Sequence, residues 1–326
     1  MPHSPHTPAH LIIYIPMNAR STKRTFPHGS GILQEAIEVV PCVRNTATHF
    51  IIFHGDRLKY IISLNCGIRK LKATVAAYNC KLKILLSLLP FIPMQLLVQL
   101  GIGVYAKVKL HKDIQRYIPE HYQWNVLIGT YDAAQKIVLQ CFSQHQSDNI
   151  DIKIGNAGSD EQMLREIQFL RSKKQYNSFS IPKLIESSLM HESGCFNILV
   201  TNEFKGTRIL PHFTEELYRI SREIAGKVTV INGVPYEFSH GDFAPWNIRK
   251  TGFSYTVFDW EHCGMRPIGY DAIYFIIMTE ISLHHRKFDE AFEIAEKRLR
   301  IFNSEMKFDK HLIRQEFAKT AKSLQF

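Results

Sequence analysis

The chain lacks the features that would place it in several common protein classes. Its six cysteines (Cys42, Cys66, Cys80, Cys141, Cys195 and Cys263) are scattered, with no Cys-x-x-Cys pair and no zinc spacing. That argues against a disulfide framework and for buried thiols in a reducing cytoplasm. No secretory leader is visible: the first apolar stretch is only Leu11 to Ile15, and no basic region precedes it. His3, His6, His10 and His28 lie among prolines without ligand spacing, so residues 1–28 read as a flexible polar tail. There is no internal repeat. An RNA-binding signature is also missing and the basic surplus is spread along the chain, so nucleic acid is not an expected partner.

What is present suits a globular protein with a sizeable core: 326 residues, 45% hydrophobic and 21% charged. The formal net charge of +10 must attract something anionic, whether a nucleotide, an acidic substrate or a membrane surface. Charge alone does not choose among these.

Three regions separate on pattern. Residues 29–118 form an N-terminal extension that mixes short β-rich runs (Phe50 to Phe53, Tyr60 to Leu64) with a long apolar stretch. No charged residue lies between Lys83 and Lys107, while Arg69, Lys70, Lys72, Lys81 and Lys109 flank that run. Its length could span a bilayer, but Pro90, Pro93, Gln95, Gln99, Gly101 and Gly103 break or polarise a single helix. Core helices fit best, and peripheral membrane contact through residues 69–109 comes second.

Residues 119–205 have the rhythm strand, turn, strand, strand, helix, strand. Asn125 to Gly129 and Lys136 to Phe142 read as a hairpin, and Ile150 to Ile154 as a third strand. Ser159 then opens a helix with Asp160 and Glu161 in its first turn and Met163, Ile167 and Leu170 on one face. Residues 206–326 are mainly helical around a short β-rich centre at 236–264.

That centre carries the chemistry. Transfer of a phosphoryl group from ATP needs an orienting carboxylate for the acceptor hydroxyl, oxygen ligands for magnesium and a cation on the phosphates. His240-Gly241-Asp242-Phe243-Ala244-Pro245-Trp246-Asn247 supplies a carboxylate and, five residues later, an amide. Twelve residues on, Asp259 closes the apolar strand Tyr255 to Phe258, at a strand end that can bring it to the same place.

Together, His240-Gly241-Asp242 through Asn247 and Phe258-Asp259-Trp260-Glu261 resemble the signature of the aminoglycoside phosphotransferase and choline kinase-like family. The resemblance implies an α+β, two-lobed protein-kinase-like fold, with a small antiparallel sheet in the N-lobe (119–205) and a mainly helical C-lobe (206–326). It implies Asp242 as catalytic base, Asn247 and Asp259 as magnesium ligands, and His240 as a support for the loop backbone. Upstream, Lys153 resembles the family's phosphate-binding lysine and Glu166 the helix glutamate that pairs with it. Glu161 competes for that role, but helical phase beside Ile167 and Met163 favours Glu166. Gly129 would begin the nucleotide-covering turn, which has one glycine where a protein kinase has three. Asn202, Glu203 and Phe204 would contact the adenine from the strand that joins the lobes.

The stretch between that strand and the catalytic loop holds little beyond one helix, so the acceptor is expected near Asp271, Tyr274 and Glu280. Two other strings invite misreading. Phe53-His54-Gly55-Asp56 repeats the motif's start but has Ile61 where the asparagine would stand. Gly101-Ile102-Gly103 is a lone Gly-x-Gly without a βαβ context. The expected activity is ATP- and Mg2+-dependent phosphorylation of a hydroxyl on a sugar, amino sugar or amino alcohol, in the cytoplasm or at a membrane periphery. The alternatives are a protein serine or threonine as acceptor, and a kinase-like binding protein without turnover.

Overall fold

The computed structural model describes residues 12–14, 23–25, 31–54, 57–65, 98, 103–129, 134–143, 149–190, 194–203, 205–305 and 308–320. Most of the 69–109 stretch, the tail apart from 12–14 and 23–25, Gly55, Asp56, Gly101 and Phe204 lie outside the described residues. Among the described residues, no helix is long and apolar enough to cross a membrane.

The chain divides into two compact units, one of residues 1–160 and 185–203, the other of 161–184 and 204–326. In chain order the elements begin with β1 (Ile12–Tyr14), β2 (Lys23–Thr25), α1 (Gly31–Ala36), β3 (Ile37–Pro41), β4 (His49–His54), β5 (Arg57–Ser63) and β6 (Gly103–Leu110). Next come α2 (Lys112–Gln115), β7 (Gln123–Ile128), β8 (Lys136–Phe142), β9 (Ile150–Gly155) and α3 (Asp160–Arg171). They are followed by β10 (Phe179–Ser180), β11 (Leu184–Ser188), β12 (Asn197–Asn202), β13 (Thr207–Arg208) and α4 (Glu215–Ala225). The remainder is β14 (Thr229–Ile231), β15 (Val234–Ser239), β16 (Ile248–Thr251), β17 (Ser254–Val257), β18 (Gly264–Pro267), α5 (Tyr270–His284), α6 (Phe288–Leu299) and α7 (Lys310–Thr320).

The first unit is built on a nine-stranded sheet in the order β11-β12-β9-β8-β7-β5-β4-β6-β3. This corrects the expectation of a small sheet. The edge that β7 would have presented is taken by β5, with Tyr60 opposite Leu127 and Ile61 opposite Val126, and β4, β6 and β3 extend it further. Alternation marks the one-faced strands: Ile137, Leu139 and Cys141 of β8 face one core, as do Ile37 and Val39 of β3. The apolar runs in β4 and β5 have another cause. Ile51, Ile61 and Val104 join the main core, while Phe50, Ile52, Tyr60, Ile62 and Tyr105 form a second one. Successive side chains point to opposite faces, so these strands are buried on both sides and need no polar alternation. Gly103 starts β6 because a Cβ there would lie 2.4 Å from the Phe50 ring and 2.7 Å from the Ile51 carbonyl oxygen. Packing, and not a phosphate, explains that glycine.

The second unit holds a four-stranded sheet (β10-β17-β16-β13), a three-stranded sheet (β14-β15-β18) and the helices α4 to α7. Helix α4 starts at Thr214, whose side chain accepts from Leu217 N, with Glu215 and Glu216 in the first turn. Asn232 and Gly233, at φ 51° and 78°, make the tight turn between β14 and β15. Tyr270 to Glu280 of α5 is buried on every face, the mark of a central helix.

His49 at the start of β4 is 6% exposed and stacks on Trp124 with ring centroids 4.2 Å apart. Burial lowers its pKa from 6.5 to about 4. Between those values the unfolded ring binds a proton that the folded one refuses, so stability falls as pH drops through that window and levels off below it. The effect is bounded at about 3 kcal/mol. Urea unfolding of wild type and His49→Phe at pH 7 and pH 4.5 should show the variant gaining on the wild type at the lower pH. A constant difference between the two would exclude His49 as the source.

Candidate active site

The motif loop follows β15 and is fixed from below by one carboxylate. Asp271, in the first turn of α5 and 4% exposed, accepts from Ser239 Oγ (2.6 Å), from His240 N (2.8 Å) and from Gly241 N (3.1 Å). Burial lifts its carboxyl to about 6, against the pull of those three donors. The start of α5 is itself tied down. Glu237 takes Arg222 Nη1 on both oxygens at 2.8 Å and accepts from Gly269 N at 2.7 Å.

His240 is wholly buried and braces the loop. Its Nε2 lies 2.9 Å from the carbonyl oxygen of Phe258, and its Nδ1 lies 3.3 Å from Asp242 N. A carbonyl can only accept and an amide N–H only donate, so the ring is neutral with its proton on Nε2. This is the supporting role expected for it. Gly241 has φ 84°, and a Cβ on it would stand 2.1 Å from the carbonyl oxygen of His262. Only glycine fits there.

Asp242 is partly buried at the turn that the loop makes. Asn247 Nδ2 donates to its main-chain oxygen (2.9 Å) and to its Oδ2 (2.8 Å). Both partners are acceptors, so the amide is oriented with Nδ2 toward Asp242. The buried Tyr274 of α5 lies near the Asp242 carboxylate, whose negative charge helps hold its phenol above the ordinary value. Burial, and then the negative charge of Asp259, raise the carboxyl to about 7. Strand β17 returns to the same place because Phe258 N donates to Asn247 O at 3.1 Å. Asp259 follows in the left-handed conformation, φ 70°.

Beyond that bend, Trp260 stacks on Phe169 at 3.9 Å and donates its main-chain N–H to Glu166 Oε1 at 3.2 Å. Ligand atoms of Glu166, Asp259 and Glu261 all lie within 4.8 Å of one another. Three carboxylates that close repel unless protons or a cation offset them. They are hard oxygen donors, the kind a magnesium ion takes, so the residues present fit the cation that the family resemblance implies. Glu166 is 3% exposed, whereas Glu161 is a surface residue paired with Arg165, so helical phase selected the buried one.

The structure therefore brings Asp242, Asn247, Asp259 and Glu166 together within the second unit. Of the remaining expected residues, those that the structure describes belong to the first. Lys153 lies mid-strand in β9, opposite Val138 of β8 and Leu199 of β12. Gly129 donates to Lys136 O at 3.0 Å, and a Cβ on it would lie 2.7 Å from that oxygen, so the hairpin itself requires glycine. Asn202 ends β12 opposite Ile150, and Glu203 is bonded to Asn149 through N (2.9 Å) and Oε2 (2.7 Å).

Two residues expected near an acceptor have other partners. Asp271 holds the loop, and Glu280 pairs with Arg286 (2.9 Å) and Arg298 (3.0 Å). Sequence reasoning missed the loop-holding role of Asp271 and the place of Glu261 in the carboxylate group. Only the Asp-Trp-Glu adjacency could have signalled the latter.

No family model and no curated protein sequence matches the chain. Among solved structures it is similar to an amicoumacin kinase in complex with AMP-PNP, Ca2+ and Ami, at 13% identity over 66% of this chain and 90% of that one, TM-score 0.40. It is also similar to a microcompartment-associated aminopropanol kinase, at 8% identity over 63% and 86%, TM-score 0.36. A third likeness is to a choline/ethanolamine kinase family protein from Mesorhizobium loti, at 14% identity over 57% and 84%, TM-score 0.29. At TM-scores this low the function has to be read from the residues of the site.

Gly241→Ala should destabilise the second unit by at least about 2 kcal/mol, from strain at positive φ together with the clash. Gly252, at φ 59° with nothing within 4 Å of the position a methyl would take, is the control for the strain alone. Thermal unfolding of Gly241→Ala and Gly252→Ala should separate by several degrees. Equal midpoints would mean that the loop has room to move.

Proposed function

We propose that the chain is an ATP- and Mg2+-dependent phosphotransferase of the aminoglycoside phosphotransferase and choline kinase-like kind, acting on a hydroxyl of a small molecule. The observation that carries this reading is the fixed Asp242–Asn247 pair beside Asp259, in a loop whose backbone is locked by Asp271. A carboxylate held so, and kept basic by its surroundings, is suited to take a proton from an alcohol near neutral pH.

In the proposed reaction the acceptor O–H gives its proton to Asp242. The oxygen forms its bond to the γ-phosphorus as the bond to the bridging oxygen of ADP breaks. Asn247 and Asp259 would hold magnesium, with Glu166 and Glu261 adjacent, and the ion when bound supplies positive charge to the phosphates. Lys153 is proposed to bind phosphate with Glu166 as its partner. Gly129, Asn202, Glu203 and Phe204 are proposed for the nucleotide, within a two-lobed kinase-like arrangement. The small-molecule acceptor would be a sugar, amino sugar or amino alcohol, and the enzyme cytoplasmic.

The test is ADP release from Mg·ATP with a panel that includes glucosamine, ethanolamine and 1-amino-2-propanol. Asp242→Asn should lower kcat by about 10²–10⁴-fold while nucleotide binding persists. Wild type and variant turning over at the same negligible rate, with nucleotide bound, would turn the reading into that of a non-catalytic binding protein.

A further inference from the structure

Resting on that reading, we propose that Asp151 determines the choice of nucleotide. Its carboxylate accepts a hydrogen bond from the 6-amino group of adenine, so the site takes adenine nucleotides and turns away 6-oxopurines. The two faces of the first unit's sheet differ where β7, β8, β9 and β12 run side by side. On one face Ile137, Leu139, Ile152, Ile154, Ile198 and Val200 belong to the main core. The opposite face carries Lys153, in a row with Leu127, Val138 and Leu199.

The next row on that face is polar in all four strands. Asn125 stands opposite Gln140, Gln140 opposite Asp151, and Asp151 opposite Thr201. Asn125, Asp151 and Thr201 are buried. Asn125 has a task within the sheet, since its Oδ1 accepts from Ser63 N at 3.0 Å. Gln140 Oε1 is buried too and has no hydrogen-bond partner among the described residues, and the same holds for Gln123 Oε1, one row further on. An amide oxygen at that depth is costly unless something polar meets it, and this points to a polar ligand over the band.

A nucleotide held as proposed crosses the band. Asp151 precedes Lys153, the proposed phosphate ligand, by two residues on the same face, about 7 Å along the strand and comparable to the span of a ribose. Its cross-strand neighbour Thr201, with side chains of such a pair about 5 Å apart, directly precedes Asn202, the proposed base contact. The base therefore comes to lie beside Asp151. A carboxylate only accepts, and the adenine of a nucleotide has N–H donors on its 6-amino nitrogen alone, so that amine is the group Asp151 takes. Guanine and hypoxanthine place a carbonyl oxygen at position 6. Two acceptors that face each other repel, and both give up water without gaining a partner.

The experiment is displacement of a ribose-labelled fluorescent ADP from the full chain, with Mg2+ present, by ATP, ITP and GTP. Wild type should bind ATP about ten- to hundredfold more tightly than ITP or GTP, the worth of a hydrogen bond to a charged group. In Asp151→Asn the side-chain amide can turn its oxygen to the amine of ATP or its nitrogen to the oxo group of the others. The Kd ratios should then shrink to within about threefold, chiefly because ITP and GTP gain affinity.

A residue that only supports the sheet would weaken all three nucleotides together, and ratios unchanged in Asp151→Asn overturn the proposal. So does a wild type that binds ITP as tightly as ATP, or GTP more tightly, a result that needs no variant to fold. Binding of none of the three would reject the phosphotransferase reading itself, and this proposal with it.

Discussion

One buried carboxylate organises the second unit. Asp271 receives the hydroxyl of Ser239 and the amides of His240 and Gly241, three successive residues that enter the motif loop. Left unpaired, each of those donors would cost about 1–3 kcal/mol at this depth, so the arrangement holds as a set or not at all. The loop's other constraints follow from it. Gly241 can take its positive φ because its amide is held, and His240 then reaches Phe258 and fixes where β17 ends. Asn247 closes the circuit by bonding Asp242 on one side and accepting from Phe258 N on the other.

Much of this was legible in the chain, and for identifiable reasons. The spacing of Asp242, Asn247 and Asp259 is local, and a short loop followed by a hairpin has few ways to run, so their convergence could be anticipated. Helical phase separated Glu166 from Glu161 because three- and four-residue periodicity reports which side of a helix faces inward. The bounds of β8 and α3 followed from alternation and from capping chemistry.

What escaped was non-local. Asp271 sits at a helix start, where an acidic residue is ordinarily explained by the helix dipole, and nothing in its neighbourhood announces a partner thirty residues upstream. Strands β4 and β5 carry runs with no polar alternation, and such runs read equally as buried strand or buried helix until their neighbours are known. The pairing of β5 with β7 joins residues more than sixty positions apart (Tyr60 with Leu127, Ile61 with Val126), which no periodicity records. The sheet was therefore larger than its anticipated core.

The division of the chain has a practical side. The backbone passes between the two units near residues 160, 184 and 203, so each is assembled from separated stretches of sequence. A single proteolytic nick or a simple truncation would not release either one intact. Removing the residues before β7 would strip away β3 to β6 and leave the β7 edge bare, with Val126, Leu127 and Ile128 along it. An apolar strand with open hydrogen-bonding groups recruits other chains. Shortened forms of this protein are therefore candidates for aggregation, and tags or insertions are better borne by polar surface turns such as Asn232-Gly233.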